Sequence, residues 1–196
     1  MTEALDPGRI HGWSTMRAMG SGERSGRDAT AYLRDADRIE PDPDDVERIV
    51  ARATGPLDRA PLLPLRPAEV EARMQAALFH SDVSTRKRGE ALAAALETIE
   101  TLRDEALPRL GARNPHELCK LHETRKMLRT AEMYLRASLA RTESRASHFR
   151  ADHPGAGSEL AWINVRCSEP GPMRLEREPV PLATYPVRPR AGEQDA

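Results

Sequence analysis

The chain is poor in aromatic residues and in cysteine, and each scarcity narrows what it can be. Aromatic side chains make up 4% of its 196 residues, whereas hydrophobic residues reach 39%. A core built from these residues must be mostly aliphatic, which favours packed helices over a sheet sandwich. The two cysteines, Cys119 and Cys167, are too few for a disulfide scaffold and indicate a reducing compartment.

The charge balance and the absence of long apolar runs exclude two further classes of protein. The net charge is −1, and no segment carries the basic excess of a nucleic-acid binder, so we expect no nucleic-acid partner. No apolar run approaches the ~20 residues that a membrane helix needs. The start, "MTEALDPGRI", lacks the layout of a signal peptide. We therefore expect a cytoplasmic protein that does not itself span a membrane.

Proline marks where long helices can lie. It is frequent at 41–45, at 56–67 and from 154 onward, whereas 68–107 contains none. A proline inside a helix costs about 3 kcal/mol or more, so the proline-free stretches should hold the long helices. Apolar residues at helical spacing predict one helix that opens at Pro67 and a second from about Thr85 to Leu107.

The third predicted helix has the clearest start signal. Asn114 is a natural N-cap, Pro115 suits the first helical position, and Glu117 can reach back to Asn114 as a capping box. Leucines then recur at helical spacing up to residue 141. Each of the three helices has one apolar face, so together they predict an antiparallel three-helix bundle over 67–153.

The flanking segments complete a mainly α fold. Residues 12–36 predict one interrupted N-terminal helix, separate from the bundle and followed by a Pro-rich linker with a short helix at 39–66. Strand-like residues at 161–167 and 173–182 surround a Pro-Gly-Pro turn, which predicts a short β-hairpin within a 154–186 extension. A Pro-rich tail follows, and we expect 187–196 to be disordered.

Two patterns resemble binding sites but lack the required spacing. "GSGERSG" at 20–26 is not the G-x-G-x-x-G of a dinucleotide-binding loop and follows no apolar strand, so its glycines favour close helix packing instead. His116, Cys119 and His122 recur every three residues, and each step turns the side chain by about 60°. The two histidines therefore diverge, and we expect no metal site.

"RTESRASHFRADHP", residues 141–154, concentrates side chains of catalytic type. No strained elbow or oxyanion hole supports a serine nucleophile here. Glu143 and Asp152 could form a carboxylate pair, but no sugar-binding aromatic residues accompany them. From residue chemistry alone the segment is the polar end of a helix, where Arg141, Arg145 and Arg150 complement the helix dipole.

A longer stretch, "NPHELCKLHETRKMLRTAEMYLRASLARTESRASHFRADHP", resembles the C-terminal helical domain of the fumarate reductase/succinate dehydrogenase flavoprotein family. That family includes L-aspartate oxidase and adenylylsulfate reductase relatives, and its helix ends in E-S-R-G-x-H-x-R-x-D-x-P. The residues of this chain that fall on the signature are Glu143, Ser144, Arg145, His148, Arg150, Asp152 and Pro154. Ala146 replaces the family's glycine, and "GAGSE" replaces the acidic stretch that usually follows.

The resemblance extends toward the N-terminus. "SGERSGRDATAYL" is similar to the last helix of the family's flavin domain, which makes 1–38 a remnant of that helix. "RIHGWS" is similar to the preceding R-L-G-G-N-S segment, with Trp13 in place of the family's asparagine. On that match Arg9 would bind the substrate carboxylate, and Gly12 and Ser14 would lie near the flavin.

The resemblance implies part of an FAD-dependent oxidoreductase. Full members bind FAD through an N-terminal G-x-G-x-x-G domain, which this sequence lacks. We therefore expect the chain alone to be catalytically incomplete, to bind no FAD, and to dock on an FAD-binding chain or domain. Glu143, Ser144, Arg145, His148, Arg150 and Asp152 would line that junction.

The same resemblance leaves other partners and roles open. An iron–sulfur electron-transfer subunit is a further candidate partner, and partners could hold the chain at the inner face of the plasma membrane. Two alternatives stay open: a helical interaction module without a redox role, and a non-functional gene fragment. An unpartnered docking face also predicts self-association of the isolated chain.

Overall fold

The computed structural model describes residues 13–37, 40–59, 65–166 and 172–184. These residues are mainly helical, with a two-stranded antiparallel hairpin near the C-terminus, which confirms the predicted class and the hairpin. The chain divides into two units, Met1–Arg52 and Ala53–Ala196. The expectations for Arg9, Gly12, Cys167 and the tail at 187–196 lie outside the described residues.

The first unit contributes α1 (Trp13–Asp35) and most of α2 (Pro43–Thr54). The predicted interruption of the N-terminal helix is wrong, because α1 runs continuously through its glycines. A helical glycine costs only about 1 kcal/mol, and the Glu23–Arg27 pair (2.6 Å) supports the turn between them. A Cβ built on the glycines at 20, 22 and 26 meets nothing within 4 Å apart from its chain neighbours and its own helix backbone, so within the first unit these glycines show no close packing.

The second unit is built on three long helices. They are α4 (Pro67–Leu78), α6 (Gly89–Thr101) and α7 (Pro115–Ala140), with the short α3 (Pro56–Arg59) and α5 (Ser81–Ser84) in the connections. The core that they share is aliphatic and fully buried at Val70, Leu92, Ile99, Leu102, Leu110, Leu121, Leu128 and Leu135. Leucine side chains at helical spacing fill the core in place of the few aromatic residues.

Cross-helix hydrogen bonds give the directions of these helices. Thr124 donates to Glu71 (2.8 Å) and Tyr134 donates to the carbonyl of Val83 (3.1 Å). The earlier of these two residues of α7 contacts α4, and the later one contacts α5, which follows α4 in the chain. Helices α4 and α7 therefore run in the same direction. The first residue of α6, Gly89, bonds to Asp152, which follows the end of α7. Helix α6 therefore runs opposite to α7.

The bounds of α6 differ from the prediction at both ends. Thr85 is the C-cap of α5, and α6 begins only at Gly89, because the backbone at Lys87 pairs with the segment that follows α7. After Thr101 the chain widens into a π-helical turn (Leu102–Ala106) and then tightens into a 3-10 turn (Leu107–Arg109). Pro108 cannot donate a backbone hydrogen bond, which suits the end of the helix.

The start of α7 confirms the predicted cap, with one correction. The Asn114 side chain accepts the backbone N–H of Glu117 (2.9 Å), and Pro115 is the first helical residue. The Glu117 carboxylate accepts from the backbone N–H of Arg113 (2.9 Å), one residue before the predicted partner. Asn114 is extended (φ −159°, ψ 168°), and this brings the Arg113 N–H within reach.

The hairpin pairs β1 (Ala161–Arg166) with β2 (Arg174–Pro179), in a register that sets Ala161 opposite Pro179. Polar side chains join the strands: Asn164 donates to Glu178 (2.6 Å), and Arg166 pairs with Glu176. Ala161 is buried and β1 contacts α7. The predicted Pro-Gly-Pro turn lies in the part of the chain that is not described.

Candidate functional site

The signature residues fold into one compact segment after α7, residues 143–157, which we call the latch. Two short backbone bridges, Arg145 with His148 and Arg150 with His153, shape it. Ser144 ties them together, since its hydroxyl accepts the N–H of Arg150 (2.8 Å) and lies 2.8 Å from the carbonyl oxygen of His153. The positions of Ser144, Arg150 and His153 in the signature are therefore those that let these residues close the loop by hydrogen bonds.

Arg150 is the centre of the latch and is only 2% exposed. Its Nη1 donates toward three carbonyl oxygens at the end of α7: Ser138 (2.9 Å), Arg141 (3.1 Å) and Leu139 (3.3 Å). The last carbonyls of a helix have no partner within the helix and carry its negative dipole end. A buried guanidinium supplies both hydrogen-bond donors for these carbonyls and a positive charge for the dipole, so Arg150 caps α7 from outside the helix.

Asp152 binds both a second edge of the Arg150 guanidinium and the start of α6. Its carboxylate accepts Nε and Nη2 of Arg150, each at 2.8 Å, and the backbone N–H of Gly89 at 2.8 Å. Arg150 first, and then the Gly89 N–H, hold the pKa of Asp152 far below its usual range. The pair thus joins the negative end of α7 to the positive end of α6.

Residues before α6 complete this contact. Lys87 accepts the N–H of Ala151 (2.8 Å) and donates its own N–H to Phe149 (3.1 Å). A Cβ on Gly89 would lie 3.0 Å from a carboxylate oxygen of Asp152 and 3.1 Å from Nη2 of Arg150. The close approach of the latch therefore explains the glycine at the first position of α6.

Glu143 links the end of α7 to the hairpin. It is 6% exposed and accepts from Arg141 (2.5 Å), Arg145 (3.2 Å) and the N–H of Gly157 (2.8 Å). Burial would raise the pKa of this carboxyl, but the bonds from Gly157 and the two arginines outweigh it and lower the pKa. Arg141 also donates to Ala161 at the start of β1 (2.9 Å).

His148 is half-buried and lies among cations. Its Nε2 is 3.3 Å from the carbonyl oxygen of Arg141. Burial lowers the pKa of His148, and the charges of Lys87, Arg141 and Arg150 lower it further, against the effect of that hydrogen bond. The neutral ring therefore donates Nε2–H to Arg141 at neutral pH.

This latch lies inside a region shared with known proteins. Residues 71–192 match the family model described as fumarate reductase flavoprotein C-term. The chain belongs to this family. The match confirms the resemblance found in the sequence, and it covers most of α4 and all of α6, α7, the latch and the hairpin.

Individual relatives agree with the family assignment. The chain is 37% identical to a CoM/CoB fumarate reductase subunit of Methanothermobacter marburgensis, over 46% of this chain and 17% of the relative. It is 34% identical to the L-aspartate oxidase of Rhodospirillum rubrum, over 63% of this chain and 45% of the relative. The chain thus spans less than half the length of these curated relatives.

The fold also matches a solved structure. Adenylylsulfate reductase from Archaeoglobus fulgidus superposes with a TM-score of 0.60 at 23% identity, over 76% of this chain and 26% of that one. Among the described residues, no helix is both long and apolar enough to cross a membrane.

The six junction residues predicted from the sequence lie together in the latch of this fumarate reductase-type domain. Glu143 and Asp152 do not form a carboxylate pair, because each is bound by a different arginine. The predicted dipole complement is confirmed for Arg150, whereas Arg141 and Arg145 bond to Glu143 instead. Ser14 lies in α1, but its side chain is outside the described set.

The histidine–cysteine pattern of α7 is dispersed in this family member. His122 bonds to the carbonyl oxygen of Ala53 (2.8 Å), whereas His116 and Cys119 are exposed. The described residues contain no group of three or more side chains suited to hold a metal ion.

Sequence reasoning missed a second ionic cluster, around Glu132 of α7. This carboxylate is 2% exposed and lies 2.7 Å from Arg103 of the π-helical turn and 2.9 Å from Arg136. Burial raises its pKa, but the two arginines outweigh burial and lower it. Glu132 lies at the helical spacing of the core residues, between Leu128 and Leu135. A charged residue at such a position was the sequence feature that could have indicated a buried ion pair.

The family's flavoproteins use FAD, and the glycines of α1 do not fit the pyrophosphate of that cofactor. The glycines at 20, 22 and 26 lie inside α1, where backbone N–H groups donate to carbonyls four residues earlier. They cannot cradle a pyrophosphate, which needs free N–H groups at a helix start. These residues therefore support no catalytic step through FAD.

Proposed function

We propose that this chain is the helical C-terminal part of an FAD-dependent oxidoreductase of the fumarate reductase/succinate dehydrogenase type. It would be catalytically incomplete by itself and would dock on an FAD-binding domain or chain that supplies the redox centre. The observation that carries the proposal is the family match over 71–192. An iron–sulfur electron-transfer partner and a position at the inner face of the plasma membrane belong to the same proposal.

The proposed organisation follows the family. Residues 67–153 would form the antiparallel three-helix bundle, 154–186 its hairpin extension, and 39–66 the linker from a flavin-domain helix at 1–38. Arg9 would then bind the substrate carboxylate, with Gly12 and Ser14 near the flavin. The substrate would be a dicarboxylate or a similar small acid.

The latch would give the junction its shape rather than its chemistry. Glu143 and Arg150 are buried and bonded within the second unit, so their hydrogen-bonding capacity is largely used. Asp152 and Arg145 keep side-chain exposures of 34% and 24%. These two side chains are among those of the signature that a flavin-binding partner could contact.

Apolar side chains on α1 support a docking role for the first unit. Met16, Met19, Tyr32 and Leu33 are each 70–72% exposed. Burying one large apolar side chain is worth about 1.5–3 kcal/mol, so a helix with four such residues gains stability from a partner. Met19 and Leu33 lie on the same side of α1 as the glycines at 22 and 26, by helical spacing.

The test is co-expression of the chain with the FAD-binding flavoprotein domain from its own genome. We expect co-purification, with the visible absorption of flavin in the complex and none in the chain alone. Leu33→Glu should reduce the recovered complex, while Ala31→Glu is the matched control, since Ala31 is exposed about 160° away around α1.

Two results would contradict the proposal. Flavin bound by the isolated chain would overturn its incompleteness. A complex whose redox activity is indifferent to Arg145→Ala and His148→Ala would favour an interaction module without a redox role. Equal loss of complex with Leu33→Glu and Ala31→Glu would remove α1 as the docking face.

A further inference from the structure

The cationic surroundings of His148 make it a candidate trigger for the latch. The imidazole bonds to the carbonyl oxygen of Arg141 (3.3 Å) and is half-buried. Three charged groups that act on it come from separate elements: Lys87 from the segment before α6, Arg141 from the end of α7, and Arg150 from the latch itself. All three are cations.

Lys87 is the least compensated of these cations. It is 4% exposed, and its ammonium donates to the carbonyl oxygen of Ser84 (3.3 Å) and lies 5.8 Å from the ring centroid of Tyr134. A carbonyl dipole and a ring face stabilise a buried ammonium less than a carboxylate does. Burial accordingly lowers the pKa of Lys87.

The nearby carboxylates are already engaged. Glu143 is held by Arg141 and Arg145, and Asp152 is held by Nε and Nη2 along one edge of the Arg150 guanidinium. Neither can turn toward a new charge on His148 without breaking an existing ion pair. A proton added to the imidazole therefore stays without a counterion in a partly desolvated place.

We propose that the latch is an acid-sensitive catch, which opens when His148 takes up a proton and becomes the fourth cation beside Lys87, Arg141 and Arg150. The opening separates the latch from the segment before α6, where Lys87 pairs with Phe149 and Ala151. Asp152 then leaves the N-terminus of α6, and that helix loses the acceptor of its first N–H.

The sign follows from proton linkage. The pKa of His148 in the closed latch lies below the 6.5 of a free imidazole, so the closed state binds fewer protons than the open one. The closed latch is favoured fully above pH 6.5 and becomes less stable as the pH falls from 6.5 toward the pKa of the closed state. This mechanism does not require a flavin partner, so it can fail or hold independently of the proposed function.

Amide hydrogen exchange of the full chain tests the catch directly. The amides of Lys87 and Ala151 make the two backbone bonds across the contact. Between about pH 7.5 and about pH 5.5, their protection should fall by up to about tenfold after correction for intrinsic exchange. The Leu128 amide, in the middle of α7, should change less. Unchanged protection of Lys87 and Ala151 would overturn the proposal.

Substitution then assigns the effect to His148. His148→Gln keeps a side-chain donor but cannot titrate, so it should remove the pH dependence; His116→Gln, at an exposed position of α7, should leave it intact. Should His148→Gln fail to fold, an NMR titration of His148 decides the matter in the unmodified chain. A measured pKa at or above 6.5 contradicts the catch, whereas a pKa below 6.5 that rises in Lys87→Met supports it.

Discussion

At the scale of single residues, the latch contains one backbone conformation that its side chain disfavours. Ala146 has φ of +49°, inside the left-handed region where a Cβ costs roughly 1 kcal/mol. It is the first central residue of the tight turn between Arg145 and His148. The signature of the family has glycine at this position, where this chain has Ala146.

Ala146→Gly is therefore predicted to stabilise the second unit by about 1 kcal/mol or less, since glycine adopts positive φ freely but gains entropy when unfolded. Urea unfolding followed by circular dichroism measures the change. Ser147→Gly is the control, because Ser147 is not among the described residues with positive φ. A lower midpoint for Ala146→Gly than for the unmodified chain would contradict this interpretation of the turn.

Gly157 provides a second prediction at this scale. A Cβ there would lie 2.7 Å from an oxygen of Glu143, which is itself held by two arginines. Gly157→Ala should destabilise the second unit by about 1–3 kcal/mol through this overlap. Gly155→Ala is the matched control, with nothing within 4 Å of its Cβ. Equal effects of the two substitutions in urea unfolding would show that the Glu143 contact yields easily.

At the scale of secondary-structure elements, the latch acts on helix ends. Arg150 caps α7 and, through Asp152, the start of α6. Removing the buried guanidinium leaves the last carbonyl oxygens of α7 without their donor, and an unsatisfied buried acceptor typically costs about 1–3 kcal/mol. Arg145 is about one-quarter exposed and does not reach a helix end, so its removal should cost less.

We therefore predict that Arg150→Ala lowers the unfolding free energy by about 2–3 kcal/mol, and Arg145→Ala by clearly less. Helicity should also fall, because α7 frays at its last turn without the guanidinium. Thermal unfolding and far-ultraviolet circular dichroism of both variants measure these effects. Similar losses for the two variants would mean that Arg150 does not act through the helix ends.

The helices show what the sequence could and could not predict. Proline positions and leucine spacing predicted α4 and α7, and the Asn114 cap placed the start of α7 correctly, because those signals are local. The start of α6 was misplaced, since it depends on Asp152, which lies 63 residues away along the chain. The signature residues could be identified, but their partners, Gly89, Lys87 and Gly157, carried no local signal for these contacts.

At the scale of the whole molecule, each of the two units exposes large apolar side chains to solvent. Four on α1 are at least 70% exposed, and on the second unit Phe79 is 73% exposed. Isolated surface apolar residues are ordinary, but a helix with four of them at this exposure is not.

We predict that the isolated chain self-associates, and that Met19→Glu together with Leu33→Glu shifts it toward the monomer, because charges on that face oppose apolar contact. Light scattering over a concentration series measures the mass. Ala31→Glu should leave the mass distribution unchanged. A monodisperse monomer of the unmodified chain would show that these faces do not drive association.

The bond between Asp152 and Gly89 also has a consequence for synthesis on the ribosome. Because 63 residues separate the two, the start of α6 emerges well before the side chain that completes it. At about 5–20 residues per second, this delay is on the order of 3 to 13 seconds. During that interval α6 and the nascent α7 lack the Arg150–Asp152 pair that joins their ends. The helical core should therefore become resistant to protease only after residue 152 has left the exit tunnel.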